Sequence, residues 1–182
     1  MTPSRRTALL TLVGAVTAAT AARGVTMAGF TRLAAARAAA PDFVGIDRWF
    51  NSAPLSIQAL RGKVALVNFW TYGCYNCVNT LPHVTKLYET YRDKGFVVVG
   101  IHTPEFQFEH SAANVEAALK RHGITYPVGQ DNESATWSAW SNEYWPAQYI
   151  VDQNGTIVFT HAGEGAYAEI EQTVRRLLNV AA

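Results

Sequence analysis

At 182 residues and 49% hydrophobic, with a formal net charge of +1, the chain is long enough to bury one core and has no large excess of positive charge. The charge is unevenly divided: residues 1–38 hold five arginines and no acid, while the remainder sets ten basic residues against fourteen acidic ones. A mildly acidic main body without a basic stripe excludes nucleic-acid phosphates as its partner class.

The basic piece opens with Ser4-Arg5-Arg6-Thr7-Ala8-Leu9-Leu10 and continues as an uncharged run to Ala22, rich in Ala, Thr, Leu and Val. A charged start followed by a short, weakly apolar run is the pattern of an export signal, because a spanning helix needs about twenty strongly apolar residues. The paired arginines resemble a twin-arginine signal, with Ala8 where that pattern often has Phe; the doublet is also compatible with a general secretory signal. Ala36-Arg37-Ala38 offers a cleavage site. The expected division is therefore a signal peptide over 1–38 and one domain over 39–182, located in the periplasm or cell envelope, with no membrane span after cleavage.

From Phe43 to Leu60 the chain is rich in turn residues, and reads as an edge hairpin or lead-in segment. Lys63 to Trp70 is continuously apolar, which predicts a central strand covered on both faces. From Cys74 to about Lys94, Leu81, Val84, Leu87, Tyr88 and Tyr91 recur at helical spacing, with Pro82 as a kink and Gly95 as the stop. Phe96 to Ile101 is a second buried strand, so strand, helix and strand form a parallel unit. Its geometry brings the loop His102-Thr103-Pro104-Glu105-Phe106 to the same sheet edge as Cys74.

Ser111 to His122 is a second helix, with Ser111 as N-cap and Gly123 closing it. Tyr126 to Val128 is a short strand, and Ser134 to Ser141 a short helix bearing Trp137 and Trp140. Ala147 to Asp152 and Thr156 to His161 flank Asn154-Gly155, a hairpin-turn dipeptide. Tyr167 to Leu178 closes the chain as an amphipathic helix.

The two cysteines stand as Cys74-Tyr75-Asn76-Cys77, where a strand gives way to a helix. That position sets Cys74 among unpaired N–H groups at the positive end of a helix dipole, an environment that favours thiolate. Cys77 lies one turn on, within reach of Cys74 for disulfide closure. A structural disulfide would more usually join distant segments, and a zinc knuckle needs two further ligands that the spacing does not supply.

The order of elements, together with Asn68-Phe69-Trp70-Thr71-Tyr72, the C-x-x-C and Trp145-Pro146 ahead of a hairpin, resembles the thioredoxin-like thiol–disulfide oxidoreductases of the TlpA/ResA type. It is closer still to the thioredoxin-like domain of DipZ-type cytochrome c biogenesis proteins, through His102-Thr103-Pro104-Glu105-Phe106, Asp131-Asn132, Ala135-Thr136-Trp137 and Gly163-Glu164-Gly165. The resemblance spans about Phe43 to Val180. It implies an α/β thioredoxin fold: a central mixed sheet with helices on both faces, here behind an N-terminal extension.

It also implies roles. Pro146 becomes a cis-proline facing the cysteines, with Trp145 offering its backbone to an extended substrate, and Trp70, Tyr72 and Trp140 forming an apolar rim. Cys74 attacks and Cys77 resolves. Thioredoxins carry Asp where Asn68 stands, and ResA-type proteins can place Glu where Thr80 stands, so both usual proton acceptors are missing. Glu105 is the candidate replacement, with His102 second; His83, His110, His122 and His161 receive no role.

The expected activity is dithiol–disulfide exchange, with no cofactor and no metal. The resemblance favours a reductant, in cytochrome c maturation or envelope thiol maintenance. The expected partners are protein substrates bearing disulfides or cysteine pairs, and a membrane or envelope electron donor. Two rivals stay open: a peroxiredoxin-type thiol peroxidase, suggested by Thr71 three residues before Cys74, and a non-enzymatic copper chaperone on the same fold.

Overall fold

The computed structural model describes residues 38–181. The expected signal peptide, with Arg5-Arg6 and all but the last residue of Ala36-Arg37-Ala38, lies outside the described residues. The central strand is β2 (Val64–Trp70), in which all seven residues are buried, as its unbroken apolar run requires. Helix α1 (Tyr75–Tyr91) returns the chain through Pro82 without ending there, and a 3-10 turn over Arg92–Lys94 stops at Gly95. Gly95 has φ 86°, a left-handed conformation that glycine adopts without steric cost.

Strand β3 (Phe96–His102) then lies parallel to β2, residue for residue, from Val64 beside Phe96 to Trp70 beside His102. His102, expected in the following loop, is thus the last residue of the strand and fully buried. Helix α2 (Ala112–Arg121) starts at Ser111, whose hydroxyl accepts the Asn114 N–H at 3.4 Å. It leads to β4 (Val128–Gln130), parallel to β3. The ladder begins at Val128 rather than Tyr126 because Pro127 has no N–H; its carbonyl accepts from Gly100 instead.

Beyond α3 (Ala135–Ala139), strands β5 (Ala147–Val151) and β6 (Ile157–Ala162) form the expected hairpin, antiparallel to β2 through β5. Asp152 Oδ1 holds its turn, accepting from Asn154 and Thr156 N–H at 2.9 Å each. Helix α4 (Tyr167–Leu177) ends the fold. The lead-in contributes β1 (Arg48–Phe50) alone, antiparallel to β4, rather than a hairpin. Asn51 turns the chain at φ 61°, and its side-chain amide donates to the Ile124 and Tyr126 carbonyls at 3.1 and 2.9 Å, so no return strand forms.

The six strands run in the order β1-β4-β3-β2-β5-β6. On one face Leu66, Val98 and Ile150 pack under Leu81 and Val84 of α1, Val115 of α2 and Ile170 of α4. On the other, Val67, Phe69 and Val99 pack with Ile57, Leu60 and Trp140. The architecture is an α/β thioredoxin fold, a mixed sheet with helices on both faces.

Leu66 is wholly buried in the central strand, between α1 and its neighbouring strands. Leu66→Ala is expected to lower the unfolding free energy by about 2–5 kcal/mol, read from the midpoint of a urea titration with unchanged slope.

Candidate functional site

The end of β2 and the start of α1 are joined by Thr71-Tyr72-Gly73, and Cys74 is the helix N-cap, with extended backbone at φ −84° and ψ 117°. Its Sγ accepts the Cys77 N–H at 3.2 Å, taking the place that a serine or aspartate oxygen fills in an ordinary cap. Negative charge on that sulfur would face the positive end of a 17-residue helix. Cys74 is half-buried and Cys77 is 1% exposed; both are free thiols. Burial pushes the Cys77 thiol well up, and its hydrogen bond to Cys74 acts in the same direction. One sulfur is therefore open to attack a partner, and the other is kept protonated beneath it.

Three buried groups brace this corner from behind. Glu109, in a 3-10 turn over Gln107–His110, accepts from Gly73 N–H at 2.8 Å with one carboxylate oxygen. The other oxygen accepts from Glu105 and Phe106 N–H at 2.7 and 2.9 Å. A Cβ at Gly73 would run into this carboxylate, so the cysteine loop needs glycine there. Burial by itself would raise the Glu109 carboxyl, but hydrogen bonds from Thr71 and from the Phe106, Glu105 and Gly73 N–H groups outweigh it and hold it below the usual value.

Thr71 Oγ1 also lies 3.2 Å from His102 Nε2. The Thr71 hydroxyl and the His102 ring thus share a buried hydrogen bond made through Nε2. That leaves His102 Nδ1 buried without a partner. Burial pushes His102 down to about 4, which keeps the ring neutral at ordinary pH. The ring stacks on Tyr72 at 5.4 Å and meets Trp70 edge-on at 5.3 Å.

The third wall is the segment before β5. Its Trp145–Pro146 peptide bond is cis. Trp145 Nε1 donates to the Thr103 carbonyl at 3.0 Å, and its ring lies 4.1 Å from that of Trp137. Asp131 supports this wall, accepting from Thr103 Oγ1 and from Thr136 and Trp137 N–H. Phe69 pairs with Ala147, which sets Pro146 beside the end of β2; Cys74 and Trp145 pack against one core cluster. Among the described residues no backbone hydrogen bond engages Trp145 N–H or its carbonyl.

Of the residues singled out by sequence, Cys74, Cys77, Tyr72, Trp145 and Pro146 meet at this edge. Trp70 does not form part of a rim: it is wholly buried behind Tyr72 and His102, since even-numbered residues of β2 face α1, α2 and α4. Trp140 is likewise buried, in the core of the opposite face. Glu105 is exposed in the loop after β3, close enough for its charge to add to the upward push on Cys77. Asn68 faces Gln148 across the β2–β5 pair, accepting from its side-chain Nε2 at 3.4 Å, with both residues buried.

Glu109 and Thr71 as a bracing pair escape a reading by motif, because a glutamate inside Gln-Phe-Glu-His looks like loop polarity. The available signal was the three-residue spacing from Phe106 to Glu109 ahead of a helix, half of a capping box. Among the described residues no group of three or more His, Cys, Asp or Glu side chains is arranged to hold a metal ion.

The sequence model of the family described as Redoxin matches residues 35–175. Protein DipZ of Mycobacterium tuberculosis is 46% identical over 143 residues, which is 77% of this chain but 21% of DipZ, so the chain spans about a fifth of that relative's length. Thiol-disulfide oxidoreductase YkuV of Bacillus subtilis is 29% identical, over 76% of this chain and 93% of YkuV. A solution structure of a thioredoxin-like protein in the oxidized form superposes with a TM-score of 0.72 at 29% identity, covering 79% of this chain and 96% of the other. With its cysteine pair at the N-terminus of α1, the chain belongs to the redoxin family, as a thioredoxin-fold relative of the DipZ- and ResA-type thiol–disulfide oxidoreductases.

Proposed function

We propose that the chain is an exported dithiol–disulfide exchange enzyme that works as a reductant of protein disulfides. The observation that carries this reading is the asymmetry of the pair: Cys74 half-buried at a helix cap, Cys77 buried and proton-bearing directly beneath. In the reaction the Cys74 thiolate attacks one sulfur of a substrate disulfide, forming a Cys74–substrate disulfide and expelling the other substrate sulfur as thiolate. Cys77 then gives up its proton and attacks Cys74 Sγ, closing the Cys74–Cys77 disulfide and releasing the second substrate thiol. The substrate gains two electrons, and an external dithiol in the membrane or envelope must return the pair to its reduced form.

The second step needs a base, because burial holds Cys77 protonated. Glu105 is the assignment we make for it: an exposed carboxylate whose charge already reaches Cys77. His102, with its ring neutral and engaged by Thr71, braces the loop instead. Trp145, with unengaged backbone N–H and carbonyl beside Pro146, supports strand-like pairing with an extended substrate. Tyr72 contributes the apolar wall of that groove. Export rests on the basic, weakly apolar residues 1–38, taken as a signal peptide, and no helix among the described residues is long and apolar enough to cross a membrane. The reducing direction, and a place in cytochrome c maturation or envelope thiol maintenance, rest on the likeness to DipZ. The peroxidase alternative loses support because Thr71 Oγ1 is engaged by His102.

Two outcomes test this reading, and a third tests the brace behind the cysteine turn. Cys74→Ser is expected to reduce insulin disulfides no faster than the uncatalysed rate, whereas Cys77→Ser accumulates a substrate adduct on Cys74 visible by mass spectrometry; adducts on Cys77 in the wild type would reverse the roles. Glu105→Gln is expected to slow closure of the Cys74–Cys77 disulfide by about ten- to a hundredfold and to change the pH dependence of Cys77 alkylation; an unchanged profile removes Glu105 from the mechanism. Because the Glu109 carboxyl lies below its usual value in the fold, its stabilisation is complete above the unfolded value of about 4.3 and fades as pH falls through the folded one. Glu109→Gln should therefore cost about 1–3 kcal/mol at neutral pH in a urea titration and flatten the acid limb of the stability profile.

A further inference from the structure

Among the described residues five large apolar side chains stand exposed: Val44, Tyr75, Phe106, Phe108 and Tyr144. Strand directions bring all five to one edge of the sheet. Tyr75 follows β2, and Phe106 and Phe108 follow β3, which runs parallel to it. Tyr144 precedes β5, which is antiparallel to β2, and Val44 precedes β1, which is antiparallel to β4. This is the edge at which β2 delivers Cys74. Tyr75, its immediate neighbour, is 79% exposed. Phe106 and Phe108 stack face to face at 5.6 Å, and Phe108 leans on Tyr72, whose hydroxyl donates to the Phe108 carbonyl at 2.8 Å. Exposed aromatic rings gathered at one edge, around a nucleophilic sulfur, mark a contact surface for another chain.

Charge is sorted the same way. The loops at this edge, residues 71–74, 103–111, 131–134, 140–146 and 163–166, contain no lysine or arginine. They expose Glu105, Glu133, Glu143 and Glu164, and among the described residues the cations that come near are Arg48 at the start of β1 and Arg121, whose charge reaches Tyr72 from the end of α2. The basic residues Arg61, Lys63, Arg92, Lys94, Arg175 and Arg176 fall at the opposite strand ends or the helix C-termini that accompany them. The domain is thus polarised along its strands, negative where the reaction takes place.

We propose that the Cys74 edge docks an extended polypeptide segment that presents its cysteine among basic and apolar side chains. The aromatic rings receive the apolar residues, and the surrounding carboxylates draw in the cationic ones and turn away acidic segments. The proposal rests on the thiol–disulfide exchange reading above and names the substrate class of that site.

Two peptides of equal length and aromatic content, one lysine-rich and one glutamate-rich, each carrying a cysteine joined by a disulfide to 2-mercaptoethanol, test it on the full, reduced chain. Hydroxyethyl disulfide serves as an uncharged small substrate. In each turnover Cys74 takes the peptide sulfur, mercaptoethanol leaves as its thiol, and Cys77 closes on Cys74 to free the peptide thiol. The lysine-rich peptide is expected to react about tenfold or more faster at low salt, an advantage that shrinks as sodium chloride is added. The combined variant Glu133→Gln, Glu143→Gln, Glu164→Gln is expected to lose most of that preference. Equal rates, a faster glutamate-rich peptide, or a preference that survives both salt and the triple variant would overturn the docking surface, while reduction of hydroxyethyl disulfide would leave the exchange chemistry standing. A chain that reduces none of the three disulfides overturns both readings.

Discussion

The parallel pairing of β2 with β3, in a register that ends on Trp70 beside His102, is the constraint from which the site follows. Parallel neighbours point the same way, so the two loops leaving these strands must share an edge. One carries Cys74 and the other carries Glu105 and Glu109. Antiparallel β5 brings Trp145 and Pro146 to that same edge from the other side of β2. A slip of one residue would turn Asn68 and Trp70 away from the helices and move the cysteine turn off its carboxylate support. The hydrophobic pattern that specifies a buried, seven-residue β2 thereby also fixes where a sulfur atom sits.

The corner is held by charge-assisted hydrogen bonds as well as by packing. Glu109 receives three backbone N–H groups from two loops that are distant in sequence, so a single buried carboxylate ties the cysteine turn to the end of β3. Thr71 extends the tie to His102, whose ring, stacked on Tyr72 and edge-on to Trp70, fills the space between. The two cysteines can then differ in exposure and proton affinity although only two residues separate them.

Most of this arrangement was legible from residue order. Continuous apolar runs gave β2 and β3, helical spacing gave α1, and Asn154-Gly155 gave the β5–β6 turn, each close to its observed limits. What sequence order obscured was direction and depth. Trp70 looks like a rim residue beside a reactive pair, but the two-residue repeat of β2 turns it inward. His102 looks like a loop residue, but one more rung of the ladder buries it. Glu109 has no periodic signature, because its partners are backbone N–H groups brought near by the fold. The lead-in from Phe43 to Leu60 offered turn residues in several places, and only Asn51, anchored to carbonyls more than seventy positions away, decided where the single strand stops.

Beneath α1 the sheet carries a facing pair of amides, Asn68 and Gln148. Neither side chain can gain or lose a proton at any ordinary pH. The floor beneath the helix thus keeps a constant electrical state as its surroundings acidify, and titration at this end of the molecule falls to the groups around the cysteine turn. Acid sensitivity at this end therefore enters through the bracing carboxylate Glu109 beside the cysteine turn, and not through the amide floor under the helix.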